Sequence, residues 1–276
     1  MNIELVKDIY ELHIKGFEGL DFNIICNKNY EIAYNKNIND YYSNFISNFN
    51  ARDKLEFENI INEADKVFNK INRNTVVYLI PFMQDLYNNK EEYFDTNEYE
   101  LVSTEVWQIY NDFSKVDDIN TNCNLNVKLE LAANMKEYAD CVMSCYQTDD
   151  EDDPYKDLDE GYREGYMNYK KIHNDIENEF YYIKLDDEIV GTTQSVYNDK
   201  VYGIYSLAIK KEYRSKGIGK EVLKKQLQMC KSKNIDTAYL QTELGFYPNK
   251  MYKKFGFKDL CIVYYYLKNI GGVNKL

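Results

Sequence analysis

The sequence predicts an α/β (α+β) fold: a mixed, mostly antiparallel central sheet flanked by helices, preceded by a smaller α/β N-terminal domain. Three observations carry this. From Glu179 onward, β-type runs alternate with short polar turns, and the hydrophobic period then changes from strand-like to helix-like and back. Glycine is confined almost wholly to that half, since only Gly16 and Gly19 precede Gly161. A chain of 276 residues with 44% hydrophobic content buries one large core or two small ones, which excludes a disordered protein.

Each element has its own justification. Phe180 to Leu185, Ile189 to Tyr197 and Val201 to Ile209 are rich in Tyr, Ile and Val. The turns Asp186-Asp187-Glu188 and Asn198-Asp199-Lys200 separate them, so they read as an antiparallel meander. Gly217 to Lys233 changes period: Ile218, Val222, Leu223, Leu227 and Cys230 share one helical face, with lysines opposite. Asp236 to Thr242 returns to strand, Pro248 to Phe255 is a short helix, and Lys258 to Lys268 is a last β-rich run. Upstream, Ala132 to Gln147 and Gly161 to His173 read as helices. In the N-terminal part, Leu55, Ile60, Ala64, Val67 and Phe68 support a helix over Asp53 to Ile71, and a strand at Thr75 to Ile80 ends at Pro81. The polar stretch 111–126 reads as the linker between a domain over residues 1–125 and one over 126–276. Helix, Thr75-Val76-Val77-Tyr78-Leu79 and Leu86-Tyr87 echo helix, Thr237-Ala238-Tyr239-Leu240 and Met251-Tyr252, which suggests a degenerate internal repeat.

Charge narrows the partners. Lys+Arg 34 against Asp+Glu 46 leaves a formal charge of −12, which repels a phosphate backbone and argues against nucleic acid. The first twenty residues carry Glu4, Asp8, Glu11 and Glu18, unlike a signal peptide, and no run reaches the ~18 apolar residues of a membrane span. A cytoplasmic protein with no membrane partner is expected. Its six cysteines then read as free thiols, and with two histidines and no CxxC pair no metal site is expected.

The segment Arg214-Ser215-Lys216-Gly217-Ile218-Gly219-Lys220 joins the third strand to the long helix. Two glycines allow close backbone approach. The N–H groups of the first helical turn have no intrahelical acceptor, and the helix dipole adds about half a positive charge there. Arg214, Lys216 and Lys220 reverse the local sign of an acidic chain. This is an anion cradle. Glu221 follows Gly219-Lys220 where a P-loop needs Ser or Thr, and Val222 stands where a dinucleotide fingerprint needs a small residue, so neither motif fits.

Arg-x-x-Gly-x-Gly after Ser206-Leu207-Ala208-Ile209, then the strand Tyr239-Leu240-Gln241-Thr242, then Asn249-Lys250-Met251-Tyr252-Lys253-Lys254-Phe255-Gly256-Phe257, resembles the acetyl-CoA signature of the GNAT superfamily of N-acetyltransferases. The match runs over roughly residues 127–269, with the N-terminal half as a degenerate GNAT-like copy lacking a cofactor loop. The resemblance implies acetyl-CoA as co-substrate, with the pantetheine arm on the backbone of Leu207, Ala208 and Ile209. It places the pyrophosphate on the amides of Arg214, Ser215, Lys216, Gly217, Ile218, Gly219 and Lys220. Asn249 and Tyr252 then approach the cofactor, and Tyr252 protonates the departing thiolate.

Proton removal from the incoming amine needs a carboxylate or an ordered water, and Glu243, closing the strand before the last motif, is the candidate base. Asp149-Asp150-Glu151-Asp152-Asp153, with Asp157, Asp159 and Glu160, would border the acceptor cleft in the resembled fold and draw a cationic amine: a polyamine, a basic peptide or an aminosugar. The expected activity is acetyl transfer to such a small-molecule or peptide amine, by a monomer or homodimer. The competing readings are a non-catalytic acyl-CoA sensor and an interaction protein on the same scaffold.

Overall fold

The computed structural model describes residues 1–147 and 156–269, so the acidic run Asp149 to Asp153 lies outside the described residues. In chain order the elements are α1 (Ile3–Glu18), β1 (Asn23–Cys26), β2 (Glu31–Tyr34), β3 (Asn44–Ser47), α2 (Lys54–Phe68), β4 (Val76–Leu79), α3 (Gln84–Asn88), α4 (Lys90–Tyr93) and β5 (Tyr99–Tyr110). There follow β6 (Val127–Leu131), α5 (Met135–Tyr146), α6 (Glu160–Met167), β7 (Glu177–Leu185), β8 (Glu188–Tyr197), β9 (Tyr202–Ile209), α7 (Ile218–Ser232), β10 (Ala238–Glu243), α8 (Tyr247–Phe255) and β11 (Lys258–Lys268). The chain divides into two compact units: Met1–Lys7, Phe22–Trp107 and the stretch from Leu260 form one, Asp8–Asp21 and Gln108–Asp259 the other.

The first unit opens with the antiparallel meander β1-β2-β3, crosses through α2, and returns as β4, parallel to β3 at Ile46↔Val77. Strand β11 pairs with β4 antiparallel, from Tyr264↔Leu79 to Leu267↔Val76. Its core is aromatic: Phe45, Phe57, Phe68, Tyr78 and Tyr265 are fully buried, and the rings of Tyr78 and Tyr265 stack at 4.4 Å. Offset ring pairs of this kind add about 0.5–1.5 kcal/mol to the burial itself.

The second unit repeats that order. Strands β6-β7-β8-β9 are antiparallel neighbours, α7 crosses over, and β10 runs parallel to β9. The echo in the sequence is therefore an echo in topology. One face of this sheet carries α7 and α8, whose Leu223, Leu227, Cys230 and Tyr252 pack with Tyr202, Ile204, Ala238 and Leu240. The other face carries α5, α6 and residues of α1: Tyr138 and Tyr166 meet Phe180, and His13 meets Tyr205.

Two expectations about layout are corrected. The last β-rich run, expected within 126–276, contributes its residues from Leu260 onward to the first unit, because its ladder is with β4. The stretch 111–126 is not a free linker. It folds into a 3-10 turn at Phe113–Asp118 and lies along α7, where Lys224 donates to the carbonyls of Asp117 and Ile119 (both 2.8 Å) and Lys231 pairs with the Asp117 carboxylate (2.6 Å). Val116 is fully buried there, so an apolar anchor and lysine-to-carbonyl bonds hold a segment whose composition reads as loop.

Candidate active site

The site grows out of an irregularity in β9. The β8–β9 register slips between Thr192 and Gln194, so one extra residue of β9 faces Thr193, and Ser206 takes a left-handed φ of 48°. A bulge inverts the side-chain alternation beyond it. Tyr202 and Ile204 point to the α7 side, as do Leu207 and Ile209 further on, whereas Ala208 packs on Cys141 and Cys145 of α5. The parallel ladder of β9 with β10 consists of Ala238↔Tyr202 and Tyr239↔Gly203. From Ile204 onward β9 no longer pairs with β10, so Leu207 to Ile209 present backbone toward a gap between two parallel strands.

Directly after β9 comes the glycine turn. Gly217 is the N-cap of α7 with φ 80°, no side chain caps the helix, and the first helical bond is Glu221 N–H to the Gly217 carbonyl (3.1 Å). Among the described residues no acceptor meets the N–H groups of Ser215, Lys216, Gly217, Ile218, Gly219 and Lys220. Such a row at a helix N-terminus is an anion site by construction. A Cβ on Gly219 would touch nothing within 4 Å, so the turn is open on that side, whereas a Cβ on Gly217 would lie 3.3 Å from Cys123 and from the Thr121 carbonyl. Thr121 in turn donates to Glu221 (2.7 Å), which fixes the helix start against the 111–126 segment.

The charges at the turn divide into two kinds. The Arg214 charge is held in place: its guanidinium donates to the carbonyls of Ile209 (3.0 Å) and Cys145 (2.8 Å), and its own N–H bonds the Lys211 carbonyl. Arg214 thus braces the end of β9 against α5. Lys216 is exposed and rests over the Tyr213 ring at 4.9 Å, and Lys220 is half-exposed on the first turn of α7. These two remain available for an anion.

Helix α8 brings the other expected residues. Asn249 is buried on its first turn, and its Nδ2 has no hydrogen-bond partner among the described residues. A buried amide donor left unpaired costs roughly 1–3 kcal/mol, so it is a position for a ligand acceptor. Tyr252 is 8% exposed, and its hydroxyl has no partner among the described residues. Burial pushes its phenol up to about 12. The same burial pushes the thiol of Cys230, in the same core cluster, up to about 12.

Glu243 ends β10, half-buried, and by strand alternation it shares a face with Tyr239 and Gln241 rather than with Thr242. On that face lies a constellation the sequence reading missed. His13 of α1 is 4% exposed, its Nδ1 is 3.2 Å from the Tyr205 hydroxyl and 3.4 Å from Gln241 Nε2, and the hydroxyls of Tyr205 and Tyr239 bond each other. Desolvation lowers the His13 pKa to about 3, so the imidazole is neutral. The only trace in the sequence is that His13 continues the buried stripe of Val6, Ile9 and Tyr10.

The first unit gives a contrast. Its α2 occupies the place of α7 in the repeated order, but Asp53 caps it, accepting from Glu56 N–H (2.8 Å), while the Glu56 carboxylate accepts from Arg52 N–H (2.8 Å). This reciprocal cap places carboxylates where a phosphate would sit. Of these two helices, only α7 starts without a side-chain cap.

Residues 142–257 match the model of the Acetyltransferase (GNAT) family. None of the curated proteins matches the chain. Among solved structures the chain is similar to a functionally unknown conserved protein of Staphylococcus epidermidis ATCC 12228, with TM-score 0.64, 14% identity, and 91% of this chain and 96% of that one covered. It is similar to a GCN5-related N-acetyltransferase of Kribbella flavida (TM-score 0.62, 14% identity, 94% and 96% covered). It is also similar to a tandem GNAT protein from the clavulanic acid biosynthesis pathway (TM-score 0.55, 10% identity, 89% and 79% covered). The fold of the chain is the mixed α/β fold of the GNAT acetyltransferases. More narrowly, the match to the family model spans the segment from α5 through the glycine turn to the end of α8.

Proposed function

We propose that the protein transfers an acetyl group from acetyl-CoA to a primary amine in a single direct step. The observation that carries this is the row of N–H groups from Ser215 to Lys220, without acceptors among the described residues, at the end of a strand whose parallel partner has diverged. The residues present fit the cofactor: the row and the Lys216 and Lys220 ammonium groups suit a diphosphate, the open edge of β9 at Leu207 to Ile209 suits the amides of a pantetheine arm, and Asn249 Nδ2 supplies a further donor. Acetyl-CoA, when bound, supplies an activated acyl carbon and a thiolate leaving group.

The chain's part in the chemistry follows from its own groups. Glu243 takes a proton from the amine as nitrogen bonds to the acyl carbon, and β9 N–H groups on the open edge hold the charge that develops on oxygen. As the carbon–sulfur bond breaks, Tyr252 donates its proton to sulfur. With the Tyr252 phenol raised to about 12 by burial, a preformed hydrogen bond to sulfur has to carry this transfer. A cationic small molecule or a basic peptide suits a chain of charge −12. The test is calorimetric titration with acetyl-CoA, followed by thiol release across a panel of amines. Saturable binding with amine-dependent thiol release supports the reading. Binding without turnover of any amine would make the protein a sensor, and no binding would end the proposal.

A further inference from the structure

The site's acceptor side has a chemistry that neither the family match nor the charge of the chain assigns. Tyr205, Tyr239 and Gln241 converge on one face of the second unit's sheet, at the point where β9 and β10 separate. The geometry is tight: a Cβ on Gly203 would lie 2.6 Å from the Tyr205 ring and 2.9 Å from the Tyr239 ring, so glycine is needed beneath the pair. The amide of Gln241 donates to His13 Nδ1, which leaves the proton of the imidazole on Nε2. Gln241 Oε1 is buried and has no hydrogen-bond partner among the described residues. An unpaired buried carbonyl calls for a donor, and the contacts of this cluster include two phenols and a neutral imidazole. The nearest carboxylate along β10 on this face is Glu243, two residues further.

We infer that this cluster is the specificity subsite for the acceptor, and that it selects a hydroxylated amine, an amino alcohol or aminosugar, with the amine toward Glu243 and a hydroxyl donating to Gln241 Oε1. His13 is a positioning residue: it holds the Gln241 amide and the Tyr205 phenol in place. An unhydroxylated polyamine would have to bring a second ammonium into a neutral, desolvated cluster, which costs several kcal/mol, or leave Gln241 unpaired. A hydroxyl pairs Gln241 Oε1 with no charge to bury.

The inference rests on the acetyltransfer reading, and its test separates the two. Glucosamine and 2-amino-1,3-propanediol are compared with cyclohexylamine and putrescine as acceptors, by kcat/KM in the parent and in Gln241→Leu, with acetyl-CoA affinity measured alongside. The parent is expected to favour the hydroxylated amines at least tenfold. Gln241→Leu is expected to reduce that ratio about tenfold, through KM, with acetyl-CoA affinity within twofold of the parent. Tyr205→Phe serves as the second variant should Gln241→Leu fail to fold, with the same fall in the ratio. No preference in the parent, an unchanged ratio in the folded variant, or no use of hydroxylated amines by protein that binds acetyl-CoA would overturn it. Loss of acetyl-CoA binding in the parent would instead strike the acetyltransfer reading.

Discussion

Replacing Gly219 by Asp sets stability and binding against each other. The added Cβ meets no atom within 4 Å, so the side chain fits without displacement. In the free protein a carboxylate on the first turn of α7 accepts from N–H groups that have no other acceptor and interacts favourably with the helix dipole, worth about 0.3–1 kcal/mol. Removing a helical glycine adds a few tenths more. The variant should therefore melt about 1–4 °C above the parent. Binding goes the other way. A carboxylate about 5 Å from a phosphate charge, at an effective dielectric constant of about 20, costs about 3 kcal/mol, or a factor of roughly 100 to 300 in Kd. Gly219→Asn has the same shape without the charge and should lose less than about tenfold. Calorimetry with acetyl-CoA and thermal melts of the three proteins read both quantities. Equal affinity of the Asp and Asn variants, or parental affinity in the Asp variant, would refute the argument that the α7 terminus carries the anion.

Two further outcomes follow from single side chains. Tyr252→Phe should lower kcat about 100-fold while leaving stability within about 1 kcal/mol, because the lost hydroxyl has no protein partner; with its pKa near 12, the parent's kcat should show no descending alkaline limb below about pH 11, and a limb near pH 9 would exclude Tyr252 as the acid. The folded pKa of His13 lies below its unfolded value, so the unfolded state takes up the proton first: His13 is neutral in both states above pH 6.5, and its contribution to stability is lost as pH falls toward 3. The interval of about 3.5 units corresponds to at most about 5 kcal/mol, and denaturant melts of His13→Gln against the parent should diverge by up to about 1.4 kcal/mol per pH unit in that window, whereas parallel curves would contradict the assigned burial.

The second unit was largely legible because its signals are local. The strand runs became β7, β8 and β9 within a few residues, the helical period became α7, and two glycines with an arginine marked the turn. The run at Lys258 became β11 with the expected limits, but its partner β4 is nearly 200 residues away in sequence, and no composition encodes that choice. The short strands β1 to β3 were missed because four-residue strands leave no measurable alternation. Arg214 illustrates a different limit. The motif supplied its position, whereas the carbonyls that claim its guanidinium come from β9 and α5, so its task is structural as well. The cluster around His13 was illegible for the same reason, since His13 and Tyr205 meet across 192 residues of sequence.

The central claim is that the amides from Ser215 to Lys220 hold the diphosphate of coenzyme A. Amide-resolved NMR of the nitrogen-labelled protein, titrated with coenzyme A, reads those six N–H groups individually. The account predicts that their resonances move most and saturate together, while those of Lys54 to Phe57 at the capped start of α2 stay still. Saturating shifts centred on any other helix terminus, or none at the glycine turn, would contradict it.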